Sequence, residues 1–238
     1  MALMARTLNA LSHIAMDVAS RRITVSSWDG ADTAIPMGSL MKPFVAIAHG
    51  PPYPKLFCRS CWKLDGHGWL EFPEAVAVSC NSYFLELASG VSANAMALVA
   101  KTYGLPAPAE QTPEAWIGLG DRWAVSPVGL LRAYCEIAVR REKLLLEGMR
   151  RSAQRGTARA IGLNAYAKTG TGPCTHKPKA SGDGYAAVLI PAESPRRALL
   201  VALHNQPGSE AARAAGDLIR SWRPAASTAS SSRFALHP

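Results

Sequence analysis

The chain has 238 residues, 48% of them hydrophobic, which is enough apolar material to bury the core of one α/β or α+β domain. Lysine and arginine outnumber aspartate and glutamate by 26 to 17, and the formal net charge is +9. The basic residues are scattered along the chain rather than gathered on one element, so this charge does not indicate a nucleic-acid-binding protein. No apolar run is long enough to span a bilayer, and the N-terminus lacks the basic and apolar regions of a signal peptide.

The first elements in chain order are a strand, a turn and a buried helix. A strand is predicted over 13–18 and, after a turn at 36–38, a helix over 43–48. Ser39 and Lys42 lie at the start of this helix, where one turn places the first and fourth residues on the same face. This S-x-x-K pattern therefore predicts a lysine amine within reach of a serine hydroxyl.

The segment after this helix holds two weaker patterns. Ser60 to Lys63 also matches S-x-x-K, but it lies between a proline-rich stretch and a glycine turn, where no helix aligns the two side chains. Cys58 and Cys61 form a lone C-x-x-C, and with His67 they offer three of the four ligands of a zinc site. Because no second C-x-x-C completes such a site, a disulfide is favoured over zinc. We expect no metal and no cofactor, and we attribute His67 to a turn between two glycines rather than to acid or base catalysis.

A polar triplet, Ser79 to Asn81, lies between two predicted helical stretches, 73–78 and 83–89. A triplet at such a junction can point into a cleft, whereas the alternative is that its serine and asparagine only cap the second helix. Both interpretations stay open from the sequence. Cys80, at the centre of the triplet, is expected to be a small buried residue. A similar triplet that begins at Ser92 is better explained as the N-cap of the helix that follows it.

The most specific pattern is Lys168 to Thr171, a contiguous K-T-G-T. It continues the run 165–167 and is followed by two apolar segments, 185–190 and 198–203, so the sequence predicts three consecutive strands. A glycine within a strand weakens it. Gly170 therefore indicates close approach of another backbone, such as an extended substrate laid along the edge of the sheet.

Taken in order, S-x-x-K, S-x-N and K-T-G resemble the three active-site motifs of the penicillin-binding protein and serine β-lactamase superfamily. The similarity extends beyond the motifs and covers roughly residues 12–222. It includes a glycine pair at Gly118 to Gly120 and a turn that leads into a helix at 125–134. It also includes two segments that lead into the third motif, at 147–149 and 156–158, and a closing helix at 209–220.

This resemblance implies a fold. We expect an α+β sandwich of the β-lactamase/transpeptidase type, in which an antiparallel sheet is flanked by helices and an all-helical subdomain is inserted at roughly 50–155. A single domain is expected over 1–223. The low-complexity stretch 224–238 is predicted to be a disordered tail.

The resemblance also implies a serine acyl-transfer site. Ser39 is expected to be the nucleophile, Lys42 its base, and Ser79 the group that relays a proton to the leaving amine. A second cation near Lys42 favours the neutral amine that a base requires. The substrate is expected to contact the second and third motifs, through Asn81, Lys168, Thr169, Gly170 and Thr171.

The implied function is a penicillin-binding serine acyltransferase that acts on D-Ala-D-Ala-type peptidoglycan stem peptides, as a DD-transpeptidase or DD-carboxypeptidase. The motifs look more like those of cell-wall transpeptidases than those of class D β-lactamases, and no counterpart of the class A deacylation glutamate is evident. We therefore expect penicillin to be bound rather than destroyed. Two alternatives remain open: a β-lactam-binding sensor or inactive scaffold of the same fold, and a serine β-lactamase.

Partners and location follow from the same resemblance. Peptidoglycan stem peptides and β-lactams are the expected ligands, a cell-wall or membrane-anchored protein is a possible partner, and no nucleic acid is expected. The expected location is extracytoplasmic, in the periplasm or on the outer face of the cell membrane. The chain itself shows no signal peptide or membrane anchor that would explain export.

Overall fold

A computed structural model describes residues 11–175 and 181–222 of the chain. The predicted tail, 224–238, lies outside the described residues. Nine strands are described, β1 to β9, at Leu11–Asp17, Ile23–Ser27, Ile35–Pro36, Leu56–Cys58, Gly68–Leu70, Ala124–Val125, Tyr166–Gly172, Asp183–Ile190 and Arg197–Leu203. Eight α-helices are described, α1 to α8, at Lys42–His49, Phe72–Ala77, Asn81–Ser89, Ala93–Thr102, Pro113–Trp116, Pro127–Arg140, Lys143–Arg155 and Gly208–Ser221. Two short 3₁₀ helices occur at Gly38–Met41 and Arg159–Ile161.

Five of the strands form one antiparallel sheet in the order β2, β1, β9, β8, β7. The strand predicted to contain the K-T-G-T pattern is β7, the two predicted to follow it are β8 and β9, and the three are neighbours in that order. β8 and β9 are buried along almost their whole length because helices cover both faces of the sheet. β7 forms one edge of the sheet, so one side of its backbone has no neighbouring strand within it.

Helices pack on both faces of this sheet. α8 lies on one face and contacts β7, β8 and β9 through small residues, with Ala211, Ala212 and Ala215 fully buried. α6 lies on β1, β8 and β9. Its Tyr134 hydroxyl donates a hydrogen bond of 2.9 Å to the carbonyl of Leu40, which ties the sheet-packed helix to the 3₁₀ turn at Gly38–Met41. The predicted α+β class, an antiparallel sheet flanked by helices, is confirmed.

The segment between α1 and the 3₁₀ helix at Arg159–Ile161 contains helices α2 to α7 together with strands that were not predicted, so it is not all-helical. β4 and β5 form a two-stranded hairpin, in which Leu56 pairs with Leu70 and Cys58 with Gly68. β6 pairs with β3, which connects the insertion to the chain just before the S-x-x-K segment. These strands have two or three residues each, too few to show an alternating pattern in the sequence.

Among the residues that the structure describes, no single helix has both the length and the apolar character needed to cross a membrane. α3 and α4 pass that test only as a pair joined across a bend of 110°.

Candidate active site

Ser39 and Lys42 lie where the 3₁₀ helix Gly38–Met41 continues into α1. In a 3₁₀ turn the side chains at i and i+3 eclipse one another, which places Lys42 on the same side as Ser39. Pro43 occupies the first turn of α1, as the sequence predicts, where its missing N–H costs no helical hydrogen bond. Ser39 is partly exposed, whereas Lys42 has no exposed surface. The α-helix itself begins at Lys42, three residues after Ser39.

Two glycines let this turn pack directly on the edge strand β7. Gly38 has φ of +57°, and a Cβ built on it would lie 2.2 Å from the carbonyl oxygen of Thr171. A Cβ on Gly170 would lie 2.4 Å from the carbonyl oxygen of Met37. Any side chain at either position would push the two backbones apart. The close approach inferred for Gly170 is therefore to the chain's own 3₁₀ turn.

The second motif lies where α2 leads into α3, and the side chains of Ser79 and Asn81 contact Lys42. The Lys42 amine donates hydrogen bonds to the Ser79 carbonyl (2.7 Å) and to Oδ1 of Asn81 (2.5 Å), and it lies 3.3 Å from Oγ of Ser79. No side-chain cap bond is found at the start of α3, so the capping alternative is wrong. Ser79 holds a left-handed conformation, with φ of +53°, which is unfavourable for a residue with a side chain.

Lys168 contacts the same serine. Its amine donates a hydrogen bond of 2.7 Å to Oγ of Ser79 and one of 2.8 Å to the carbonyl of Thr169. The side chain has no exposed surface. Ser79 thus lies between two buried lysines, Lys42 and Lys168, which come from the first and third motifs.

Burial depresses the pKa of both amines. It lowers the pKa of Lys42 to about 7, against the opposing effect of the nearby Cys80 and Cys61. Burial, and then the charge on Lys42, hold the pKa of Lys168 well below its usual range. Among residues 11–175 and 181–222 neither lysine forms an ion pair, so no carboxylate offsets the loss of hydration.

A cleft with a volume of about 790 Å³ opens onto these groups. Residues from all three motifs line it: Ser39, Ser79, Asn81, Thr169, Gly170 and Thr171. The two lysines lie behind this lining and do not face the cleft directly. Five of the eight residues that the sequence analysis proposed for the reaction and its substrate are thus cleft-lining side chains, Gly170 contributes backbone, and Lys42 and Lys168 support Ser79 from within.

Four positions at the cleft were not assigned a role from the sequence. Oγ1 of Thr169 donates to Oγ1 of Thr157 (2.6 Å), and the backbone N–H of Gly208, at the start of α8, donates to Oγ1 of Thr171 (3.1 Å). The other two are Trp62, whose ring N–H donates to the Ser79 carbonyl (3.2 Å), and Gly118, which packs on Gly38. Thr157 and Gly118 lie in segments whose similarity to the superfamily was noted from the sequence, so that similarity could have identified them. No sequence pattern singled out Trp62 or Gly208.

The competing patterns do not form a second site of this kind, although Lys63 lines the cleft. Ser60 and Lys63 lie in the loop of the β4–β5 hairpin, outside any helix. Ser92 is the N-cap of α4 and accepts a hydrogen bond of 3.2 Å from the N–H of Ala95, as predicted.

The predicted disulfide between Cys58 and Cys61 is wrong, because both thiols are free. Nδ1 of His67 lies 3.6 Å from Sγ of Cys58 and 3.3 Å from Sγ of Cys61. Cys80 is buried, as expected, but it joins this group rather than packing alone.

No family model matches the sequence, and no curated protein matches it either. Solved structures do match its fold. The chain is similar to PBP2 of Pseudomonas aeruginosa, with a TM-score of 0.76 and 17% identity over 92% of this chain and 72% of that one. It is similar to PBP2 of Helicobacter pylori, solved in complex with MreC, with a TM-score of 0.76 and 14% identity over 93% of this chain and 62% of that one.

The transpeptidase domain of Burkholderia pseudomallei penicillin-binding protein 3 matches with a TM-score of 0.75 and 16% identity over 92% of this chain and 91% of that one. The helices and the antiparallel sheet of this chain thus have the fold of penicillin-binding protein transpeptidase domains. Within that fold, residues from all three motifs line one cleft.

Proposed function

We propose that the chain is a penicillin-binding serine acyltransferase that attacks D-Ala-D-Ala-type peptidoglycan stem peptides through an acyl-enzyme at Ser39. The observation that carries this proposal is the position of Ser79, which is hydrogen-bonded between two fully buried lysines beside a cleft that Ser39 lines. Removing an ammonium group from water costs several kcal/mol when no counter-charge compensates it. A fold that needed only stability has little reason to bury two of them together.

The buried pair supplies a base. With both pKa values depressed, the two lysines carry less than two full charges at neutral pH, so a neutral amine is available. Lys42 is the base we assign, because it follows Ser39 by one helical turn. A serine hydroxyl is a weak nucleophile until such a group removes its proton during attack.

The proposed reaction balances its protons in two halves. The Ser39 proton moves to the Lys42 amine as Oγ bonds to the carbonyl carbon of the penultimate D-Ala residue. The C–N bond to the terminal residue then breaks, and the leaving nitrogen takes a proton from Ser79, which is replenished from Lys42. In the second half an acceptor amine or water gives up its proton along the reverse path, bonds to the acyl carbon and releases Ser39.

Charge on the tetrahedral oxygen needs two fixed donors, and we assign the backbone N–H groups of Ser39 and Thr171 by resemblance. The packing of Gly38 on Thr171 supports this assignment because it keeps the two backbones adjacent. The free side of β7 can accept an extended peptide as an added strand, which is a common way to hold a substrate backbone. The hydroxyls of Thr169 and Thr171 and the Asn81 amide then contact the substrate from the cleft wall.

The extracytoplasmic location and a protein partner are part of this proposal. The stem peptide is a cell-wall component, so the activity proposed for Ser39 belongs outside the cytoplasm. The Helicobacter pylori PBP2 that shares this fold was solved in complex with MreC, and we propose that this chain also works with a cell-wall-associated protein.

Intact-mass measurement during incubation with benzylpenicillin tests the proposed acyl-enzyme. We expect one adduct per chain, formed in the wild type and in Ser60→Ala, whose serine belongs to the competing S-x-x-K pattern, but not in Ser39→Ala. A wild type that gains no more mass than Ser39→Ala contradicts the proposal.

The lifetime of that adduct separates the related functions. A persistent adduct, together with release of D-Ala from a stem-peptide donor, supports an acyltransferase. Rapid loss of the adduct with sustained hydrolysis of a chromogenic cephalosporin indicates a β-lactamase instead. A persistent adduct without any product from the stem peptide indicates a sensor or an inactive scaffold.

A further inference from the structure

The β4–β5 hairpin and the second motif bring four metal-binding side chains together. Cys58 ends β4, Cys61 and His67 lie in the hairpin loop, and Cys80 precedes α3. One ligand atom from each lies within 4.8 Å of every other. The four residues span 23 positions of sequence but meet at one point, which the hairpin makes possible.

The spacing within the cluster suits a single tetrahedral ion. Zinc binds sulfur at about 2.3 Å and imidazole nitrogen at about 2.0–2.1 Å, so neighbouring donors in a tetrahedral site lie roughly 3.4–3.8 Å apart. Nδ1 of His67 lies 3.3 Å from Sγ of Cys61 and 3.6 Å from Sγ of Cys58. Both N···S distances match those expected between neighbouring donors around one metal ion.

The local backbone is shaped to hold His67 over Cys58. The N–H of His67 donates a hydrogen bond of 3.1 Å to the Cys58 carbonyl. Gly66 has φ of +66°, and a Cβ on it would lie 2.2 Å from that same carbonyl oxygen, so only glycine fits this turn. The other ring nitrogen, Nε2, has no hydrogen-bond partner within the part of the chain that the structure describes. The polar contacts described for the His67 ring are therefore those between Nδ1 and the sulfur atoms of Cys58 and Cys61.

We propose that Cys58, Cys61, His67 and Cys80 bind one Zn²⁺ ion as a structural site. Three sulfurs and one imidazole select a soft divalent ion over Mg²⁺ or Ca²⁺. Four protein ligands leave no open position for substrate or water, which is typical of a structural rather than a catalytic zinc. The fourth ligand, absent from the C-x-x-C and His67 pattern considered from sequence, is Cys80, and the site replaces our expectation of a protein without a metal.

The site also has a consequence for the second motif. Cys80 lies between Ser79 and Asn81, the two residues that hold the Lys42 amine. The hairpin loop reaches Ser79 a second time through Trp62, whose ring N–H donates to the Ser79 carbonyl. A metal on Cys80 would hold the backbone on one side of Ser79, which has an unfavourable positive φ. The ion is thus expected to position Ser79 and Asn81 without touching the substrate.

Metal content of the full chain tests the site without reference to acyl transfer. Protein purified with reducing agent and free of chelator is expected to contain one zinc per chain by elemental mass spectrometry. After zinc is removed, addition of Co²⁺ alone should give one equivalent of tetrahedral cobalt with thiolate-to-metal absorption. Absence of stoichiometric metal, or a cobalt spectrum without thiolate bands, overturns the proposal.

Matched variants assign the ligands. Cys61→Ser and His67→Ala should lower cobalt affinity at least tenfold, since each removes one donor, whereas Cys135→Ala, which removes a buried cysteine in α6, should keep wild-type affinity. Ser39→Ala should also keep one metal, because the nucleophile is not a ligand. If Cys61→Ser binds cobalt as tightly as Cys135→Ala, the assignment fails even when the protein contains metal.

The positioning role has its own measurement and rests on the proposed function. Zinc removal and Cys61→Ser should each slow acylation by benzylpenicillin at least tenfold, and returning Zn²⁺ should restore the rate of the wild type but not of Cys61→Ser. Zinc-free protein that keeps the wild-type acylation rate overturns the positioning role. A chain that binds zinc but never acylates at Ser39 instead contradicts the proposed function and leaves the metal site intact.

Discussion

At the scale of single residues, the chemistry proposed for this protein depends on the burial of two lysines. Lys42 and Lys168 are fully removed from solvent, and both donate to groups around Ser79 rather than to carboxylates. Each amine is therefore easier to deprotonate than an exposed lysine, because burial penalises the charged form. Burying these two amines costs folding free energy, but in the proposed mechanism it makes Lys42 suited to removing a proton from Ser39.

The rate of acylation should depend on pH through Lys42. Burial lowers the pKa of Lys42 to about 7, so the amine is charged and cannot act as a base below that pH. We expect the acylation rate by benzylpenicillin to rise about tenfold per pH unit below 7 and to level off above it. The charged and titratable groups that face this amine are Lys168, Cys61, Cys80 and His67. Time-resolved intact mass from pH 5.5 to 8.5, a range of roughly three units around the pKa, measures the profile.

Two variants show whether this profile belongs to Lys42. Lys42→Met should lower the acylation rate by about 10²–10⁴ and remove the inflection, because the base is lost. Lys101→Met, an exposed lysine in α4 that begins the incomplete Lys101-Thr102 match to the third motif, should keep the wild-type profile. An inflection near pH 7 that survives in Lys42→Met assigns the titration to another group.

At the scale of elements, the site depends on how closely the 3₁₀ helix Gly38–Met41 packs on the edge strand β7. The contact is backbone against backbone, and Gly38 and Gly170 make it possible. Thr169 and Thr171 flank Gly170 in β7. Thr169 is held by a hydrogen bond to Thr157, and Thr171 by a hydrogen bond from the N–H of Gly208. Three separate parts of the chain thus hold β7 in place.

Gly170→Ala should separate these elements. Its Cβ would lie 2.4 Å from the Met37 carbonyl oxygen and 3.0 Å from Cγ of Leu40, and the backbone there cannot move aside as a flexible side chain would. We expect a loss of about 1–3 kcal/mol in the free energy of unfolding, measured by urea denaturation, and acylation slowed at least tenfold. Gly90→Ala is the matched control, because its Cβ would meet its nearest neighbour at an ordinary 3.5 Å. If the two variants have equal stabilities and equal acylation rates, the close contact at Gly170 is not important for stability or acylation.

At the scale of the whole molecule, the sequence predicted the motifs of the candidate site better than the surrounding elements that hold them in place. The three motifs, the helix after Ser39 and the three strands β7 to β9 follow from local patterns, and the structure brings them together. The convergence of Cys80 with Cys58, Cys61 and His67 could not be predicted, because it depends on a hairpin whose strands have only three residues each. Long-range pairing of short strands leaves no periodic signal in the chain.

The inward direction of the two lysines was also outside the reach of sequence. A lysine in a motif is equally compatible with a side chain that faces the substrate, as we expected for Lys168, and with one that lies behind it. The choice depends on what α2, α3 and β7 leave between them, and that volume is a property of the packed molecule. The sequence therefore indicated which residues cluster at the candidate site, but not the contacts that set the pKa values of the two lysines.

The cleft that the proposed substrate would enter carries part of the positive net charge of the molecule. Four cations line the cleft against a single carboxylate, Glu210: Lys63, Arg155, Arg159 and Arg213. Arg155 and Arg213 form ion pairs, with Glu74 and Glu210, whereas Arg159 has no ion pair among the described residues. The cleft cations therefore produce a positive electrostatic field, and the rest of the molecule does not cancel it because the formal net charge of the chain is +9. Such a field raises the encounter rate of anions.

Acylation by benzylpenicillin, a monoanion, should therefore fall as salt screens this field. Raising NaCl from about 0.05 M to about 0.5 M shortens the screening length to a few ångströms and should lower the second-order acylation rate by about two- to fivefold. Arg159→Gln should lower the rate at low salt and flatten this dependence. Arg22→Gln removes the same charge beside β2, at the opposite edge of the sheet from the cleft, and should behave as wild type. A salt dependence equal in the two variants would mean that the overall charge of the molecule, and not the cleft, attracts the anion.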